Sequence, residues 1–108
     1  IDLPADSMVI GGTLEVLEAS GNANVTLDVG TSTDVDAFVD GGGSNAAADI
    51  QFNLKAAGGN MVTSADSIQV TVLDSGSSGT TALRFRVHAV ICDVSVNPVE
   101  SATVSTGT

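Results

Sequence analysis

Three observations place the chain in the all-β class, as a single-domain antiparallel β-sandwich or jelly roll. Apolar residues recur at period two in short segments. Clusters of Gly, Asn, Asp and Ser separate those segments. No segment reads as a convincing amphipathic helix. With 108 residues there is room for one domain and one modest core. The sequence divides it into a β-sandwich over 1–96 and a Ser/Thr-rich tail over 97–108, with no internal repeat.

The first strand is expected from Ser7 to Leu17, after Pro4, whose missing donor is harmless at an edge. Within it Leu14 and Val16 point inward and Thr13 and Glu15 outward. The pair Gly11-Gly12 marks a bulge or a bend that lets one strand serve two sheets. Ser20 to Asn24 is a turn by composition, and Val25, Leu27 and Val29 alternate with Thr26 and Asp28 in a second strand. The two read as a hairpin. The triplet Asn24-Val25-Thr26 matches a glycosylation sequon by chance spacing and is read as strand.

Residues 30–36 form a polar loop, followed by the short apolar piece Ala37-Phe38-Val39 and by Gly41 to Gly43, read as a flexible connection. Asn45 to Asp49 is alanine-rich enough for one helical turn, but Ile50, Phe52 and Leu54 alternate with Gln51, Asn53 and Lys55 as in a strand. Gly58-Gly59-Asn60 turns the chain. Ser67 to Asp74 then carries Ile68, Val70 and Val72 on one face, and DSGSSGTT, containing Gly76 to Gly79, makes a further turn.

The longest alternating run is Thr80 to Val96. Leu83, Phe85, Val87, Ala89 and Ile91 fall on one side, and Arg84, Arg86 and His88 on the other. A strand of that length can line a sheet from end to end and give shorter strands a surface to pair with. Pro98 stops the ladder, and the Ser/Thr-rich residues after it have little to bury.

Composition narrows the function classes. Thirteen acidic and three basic residues give a net charge of −10, which repels nucleic acid and anionic membranes. No run approaches the length of about 18 apolar residues needed for a helical membrane span, and no signal-peptide pattern opens the chain. The single cysteine, Cys92, forms no internal disulfide, so cytoplasmic synthesis is compatible with the sequence. The aromatic residues are Phe38, Phe52 and Phe85, with no Trp or Tyr, so the core is chiefly aliphatic. So thin a core is well served by a partner that buries more apolar surface.

Candidate sites are few. Asp34, Asp36 and Asp40 share one loop, DVDAFVD, and clustered carboxylates are what a hard cation requires, yet Phe38 stands where an EF-hand loop needs an oxygen ligand and no Glu follows. Turn-forming aspartates account for the cluster more simply. His88 has no neighbouring Cys or second His with which to build a zinc site. The serines lie outside any G-x-S-x-G pattern, so no catalytic constellation assembles and no enzyme activity or cofactor is expected. Arg84 and Arg86 project from one face, either to pair with carboxylates of a neighbouring strand or to hold a carboxylate on another subunit. Val90, Cys92 and Val94 continue that face with apolar side chains, where Cys92 serves as a small filler rather than a reactive thiol. Arg84, Arg86, His88, Val90 and Cys92 are therefore the subunit-interface candidates.

These residues carry a resemblance to the decoration (cement, or head-stabilisation) proteins of tailed-bacteriophage capsids. LPADSMVIGGTLEV resembles the family's start, in which Leu-Pro precedes an apolar strand broken by a Gly-Gly bulge. VTLDVGTSTDVDAFVD is similar to its strand, glycine, acidic loop and aromatic pattern, and DSIQVTVLDSGSSGTTALRFRVHAVI to its closing hairpin. His88 and Cys92 depart from it, standing where relatives often carry aromatic or aliphatic residues. The resemblance implies a β-sandwich, often trimeric, on the outer surface of the virion, bridging major capsid proteins, strengthening the head and catalysing nothing. The other reading compatible with the composition is a carbohydrate- or cell-surface-binding β-sandwich of a phage fibre or secreted protein. The absence of Trp and Tyr, the usual sugar-stacking platforms, counts against it.

Overall fold

The computed structural model describes residues 1–54, 61–76 and 82–94, and the elements among them are all strands. These are β1 (Asp2–Leu3), β2 (Ser7–Glu18), β3 (Val25–Gly30), β4 (Val39–Gly43), β5 (Ala48–Gln51), β6 (Met61–Val62), β7 (Asp66–Ser67), β8 (Gln69–Asp74) and β9 (Arg84–Asp93). All their pairings are antiparallel. The predicted turn at 58–60 and the tail over 97–108 lie outside the described residues, as does most of the turn at 76–79.

The longest strand, β2, has neighbours on both sides. Along one edge it pairs with β5 over Thr13–Val16 and with β6 at Ser7 and Met8. Along the other it pairs with β9 from Ser7↔Asp93 to Glu18↔Arg84. A second sheet has the order β4-β3-β8, and β1 pairs with β7 in a small third one. Val9, Leu14 and Val16 from β2 meet Leu27 and Val29 from β3 in one buried cluster that also takes in Leu3, Phe38, Val39 and Ile68. The inward face of β9, from Leu83 to Ile91, lies half-buried against that cluster.

The alternation on β2 and β9 is as the residue pattern predicts, with Leu14 and Val16 buried and Arg84 and Arg86 exposed. The bulge at Gly11-Gly12 is also present, as a register shift between Val9 and Gly11 that leaves Ile10 as the extra residue. Instead of carrying β2 into a second sheet, the bulge keeps it in one. A Cβ on Gly12 would meet the Phe52 ring and, at 2.7 Å, the His88 carbonyl, so the glycine is the space in which that ring sits.

Two expected hairpins are not ladders. β2 and β3 belong to different sheets because both edges of β2 are already occupied, and the connection through Ser20 crosses between them. The crossing is held by Ser20 N donating to Ser44 O at 2.8 Å, and by the buried Ser20 and Ser44 hydroxyls 2.8 Å apart. Likewise β8 pairs with β3 and β9 with β2, so the closing segment also spans two sheets. The far end of β8 is less covered than alternation predicts, with Val72 exposed beside Leu73.

The glycine run is likewise no flexible connection. Gly42 and Gly43 pair with Leu27 and Thr26, while Gly41, at φ 69°, donates its N–H to Asp28 Oδ1 at 2.7 Å. A side chain on Gly42 would strike Val39 Cγ1 at 2.8 Å. The alanine-rich stretch after it forms no helical turn. It enters β5 at Ala48, and Phe52 N continues the sheet by donating to Gly12 O at 3.0 Å.

Buried Gly30 sets the start of the next loop, because a Cβ there would collide with the backbone of Asp34 and Val35. Neither can swing aside, since Thr31 N donates to Asp34 O at 2.8 Å. Gly30→Ala is therefore expected to cost about 1–3 kcal/mol by overpacking. Gly43→Ala, where nothing lies within 4 Å, is the matched control in urea denaturation.

Candidate interaction surface

Residues of β9 that face away from the core share a surface with their register partners on β2. From one end to the other the β9 row is Arg84, Arg86, His88, Val90 and Cys92, all exposed, so the structure brings together the five residues singled out from the sequence. Their β2 partners are Glu18, Glu15, Thr13, Gly11 and Met8. Two characters result, one at each end.

The first end is ionic. Arg86 Nε donates to Glu15 Oε1 at 2.7 Å, and His88 Nε2 lies 3.2 Å from the same oxygen. Asp49, the partner of Glu15 on β5, extends the row of charge across a third strand. The hydrogen bond from Arg86, followed by that from His88, holds the Glu15 carboxyl below its ordinary range. The Arg86 guanidinium is raised in turn by the bond to Glu15.

Because the folded value for Glu15 is lowered, its contribution is present above the ordinary carboxylate range and is lost as pH falls through the folded value. Glu15→Gln is thus expected to be less stable than the parent at neutral pH, with the difference closing under acid. The effect is small, as for any solvated ion pair, and shrinks with added salt. Thermal melts of both proteins across pH and ionic strength check it. A gap that persists unchanged at low pH would show that packing, not charge, is lost.

The second end is apolar. Val90 is 58% exposed and Ile10 50%, the latter thrust out by the bulge beside it. Met61 of β6, 38% exposed, is the partner of Met8, which in turn faces Cys92. The exposed thiol of Cys92 adds to this end a small side chain with only a weak hydrogen bond, 3.9 Å from the Asp93 carbonyl. Among the described residues β9 pairs with β2 alone, so between Phe85 and Ile91 its other edge presents main-chain groups.

The acidic loop is organised differently. Asp34 and Asp36 are half-buried and Asp40 is exposed. A hydrogen bond to Asp34, with burial and the Asp40 charge behind it, raises the Asp36 carboxyl. Among the described residues no group of three His, Cys, Asp or Glu side chains is arranged to hold a metal ion.

Sequence periodicity found the β9 row but not its partners. Glu15 was legible only as an outward residue of β2. Ile10 joined the surface through the bulge, and Met61 through a pairing between distant segments. No family model, curated protein or solved structure matches the chain.

Proposed function

We propose that the protein is a structural decoration protein of a tailed-phage capsid, which binds the outer surface of the major capsid protein shell and associates with its own copies, as a trimer, on the virion. The observation that carries this reading is the divided β2–β9 face. An ionic end with a fixed guanidinium supplies orientation, and an apolar end exposed to water supplies the driving force for association. The sheets sharing one aliphatic cluster suit the β-sandwich that the resemblance implies. The strong negative charge suits a position outside the shell, away from packaged nucleic acid.

A sugar-binding role has less support. Phe38 is only 2% exposed and stacks on Phe52 with ring centroids 5.1 Å apart, so that ring face is occupied and offers no platform. The test is to add purified protein to heads that lack it, then measure co-sedimentation and the heat resistance of the particles. Saturable binding with a raised disruption temperature is expected. Protein left in the supernatant at all concentrations would overturn the proposal.

A further inference from the structure

A cleft of about 400 Å3 lies between the loop after β3 and the segment from Met61 to Asp66. That volume is within the range of about 300–1,000 Å3 seen for ligand sites. Ala37, Phe38 and Val62 form apolar lining, hydroxyl-bearing residues such as Thr33 and Ser64 form polar lining, and the acidic residues Asp34 and Asp66 stand on opposite walls. The walls are tied together where Ser32 Oγ donates to Asp66 Oδ2 at 2.8 Å and Ser32 N to Asp66 Oδ1 at 3.2 Å. Ser67 N donates to the same Oδ1 at 2.7 Å.

These bonds fix the Asp66 carboxylate in one orientation, and the Ser67 amide, ahead of the Ser32 hydroxyl, holds it ionised below its usual range. A carboxylate oxygen has room for further donors beyond those it already accepts. Three kinds of occupant fit a mixed cleft, and two have specific obstacles. A divalent cation needs several free oxygen ligands, and no three-residue acidic group is arranged for one among the described residues. A neutral sugar needs an aromatic face, and that of Phe38 is stacked on Phe52.

We infer that the cleft takes a Lys or Arg side chain presented by a partner protein, with its aliphatic stem along Val62 and its cationic head between Asp34 and Asp66. A long basic side chain is apolar along its stem and charged at its tip, and the cleft has both apolar and acidic residues in its lining. The field of a chain with net charge −10 draws such a partner in. The inference holds whether or not the partner is a capsid, because it rests on the cleft and not on the β2–β9 face.

The experiment uses the whole protein, isotopically labelled, titrated with the peptides Gly-Arg-Gly and Gly-Lys-Gly, with Gly-citrulline-Gly as the neutral isostere and with glucose. Amide shifts confined to Thr31–Asp34 and Val62–Ser67 are expected with the two basic peptides alone, weakening as salt is raised. Asp66→Asn, which keeps an acceptor for the Ser32 and Ser67 amides, is expected to weaken binding by about threefold, as loss of one solvated ion pair predicts. Asp34→Asn, on the opposite wall, is expected to act in the same direction, and an unchanged amide spectrum outside the cleft shows that each variant remains folded. Equal shifts from the citrulline peptide or from glucose, shifts spread over the whole surface, or no shifts with the basic peptides would each overturn the assignment.

Discussion

Leu14→Ala is expected to lower the unfolding free energy by about 2–5 kcal/mol, the cost of truncating a fully buried leucine. Leu14 is 0% exposed and sits on β2 between Ile50 of β5 and Val87 of β9, so its side chain serves both neighbours at once. It also reaches the cluster shared with Leu27 and Val29 of the other sheet. Few aromatic side chains are available to close over the cavity, and one of them, Phe38, is committed to its stack on Phe52. Against a total stability of about 5–15 kcal/mol for a typical domain, such a loss consumes much of the margin. Leu73→Ala, at a residue 44% exposed on β8, is expected to change stability by no more than about 0.5 kcal/mol. Urea midpoints for the two variants make the comparison. A Leu14 variant as stable as the Leu73 one would mean that β2 does not organise the core.

The same strand shows which parts of the fold were legible beforehand. Thr13, Leu14, Glu15 and Val16 announce their faces because period two is local, and so do the residues of β9 from Arg84 to Cys92. Pairing is not local. The turns after Glu18 and after Asp74 read as hairpin turns, but no short-range signal reports that both edges of β2 are filled by segments from much later in the chain. The glycine run misled for a related reason. Gly41 and Gly42 are required inside β4, one by a left-handed φ and the other by the nearness of Val39, and flexibility has no part in it.

The candidate surface divides in the same way. Arg86 and His88 were visible as outward residues, whereas their shared partner Glu15 depends on a register that the bulge at Ile10 shifts. The cleft left no signal at all, since Ser32 and Asp66 meet across 34 positions of sequence.

On the proposed function, Val90→Asp is expected to weaken self-association and head binding by about a hundredfold while leaving the domain folded. The side chain is already 58% exposed, so the folded monomer can keep a carboxylate there in water, and its unfolding free energy is expected to stay within about 0.5 kcal/mol of the parent's. Closing an interface over it is another matter. The neighbouring apolar end, with Ile10 on β2 and Cys92 on β9, supplies no cation, and the adjoining Arg86 and His88 are both engaged with Glu15. An uncompensated carboxylate under that contact costs about 3 kcal/mol or more, which weakens association by about a hundredfold. Gln69→Asp adds the same charge at an exposed position on β8 and separates local desolvation from general repulsion in a chain already at −10. Light scattering and co-sedimentation with heads, run on both variants, decide between the two. If Gln69→Asp dissociates the protein equally, net charge rather than this face governs assembly. If Val90→Asp unfolds it, the outer face of β9 belongs to the core, and if association survives unchanged, the interface lies elsewhere.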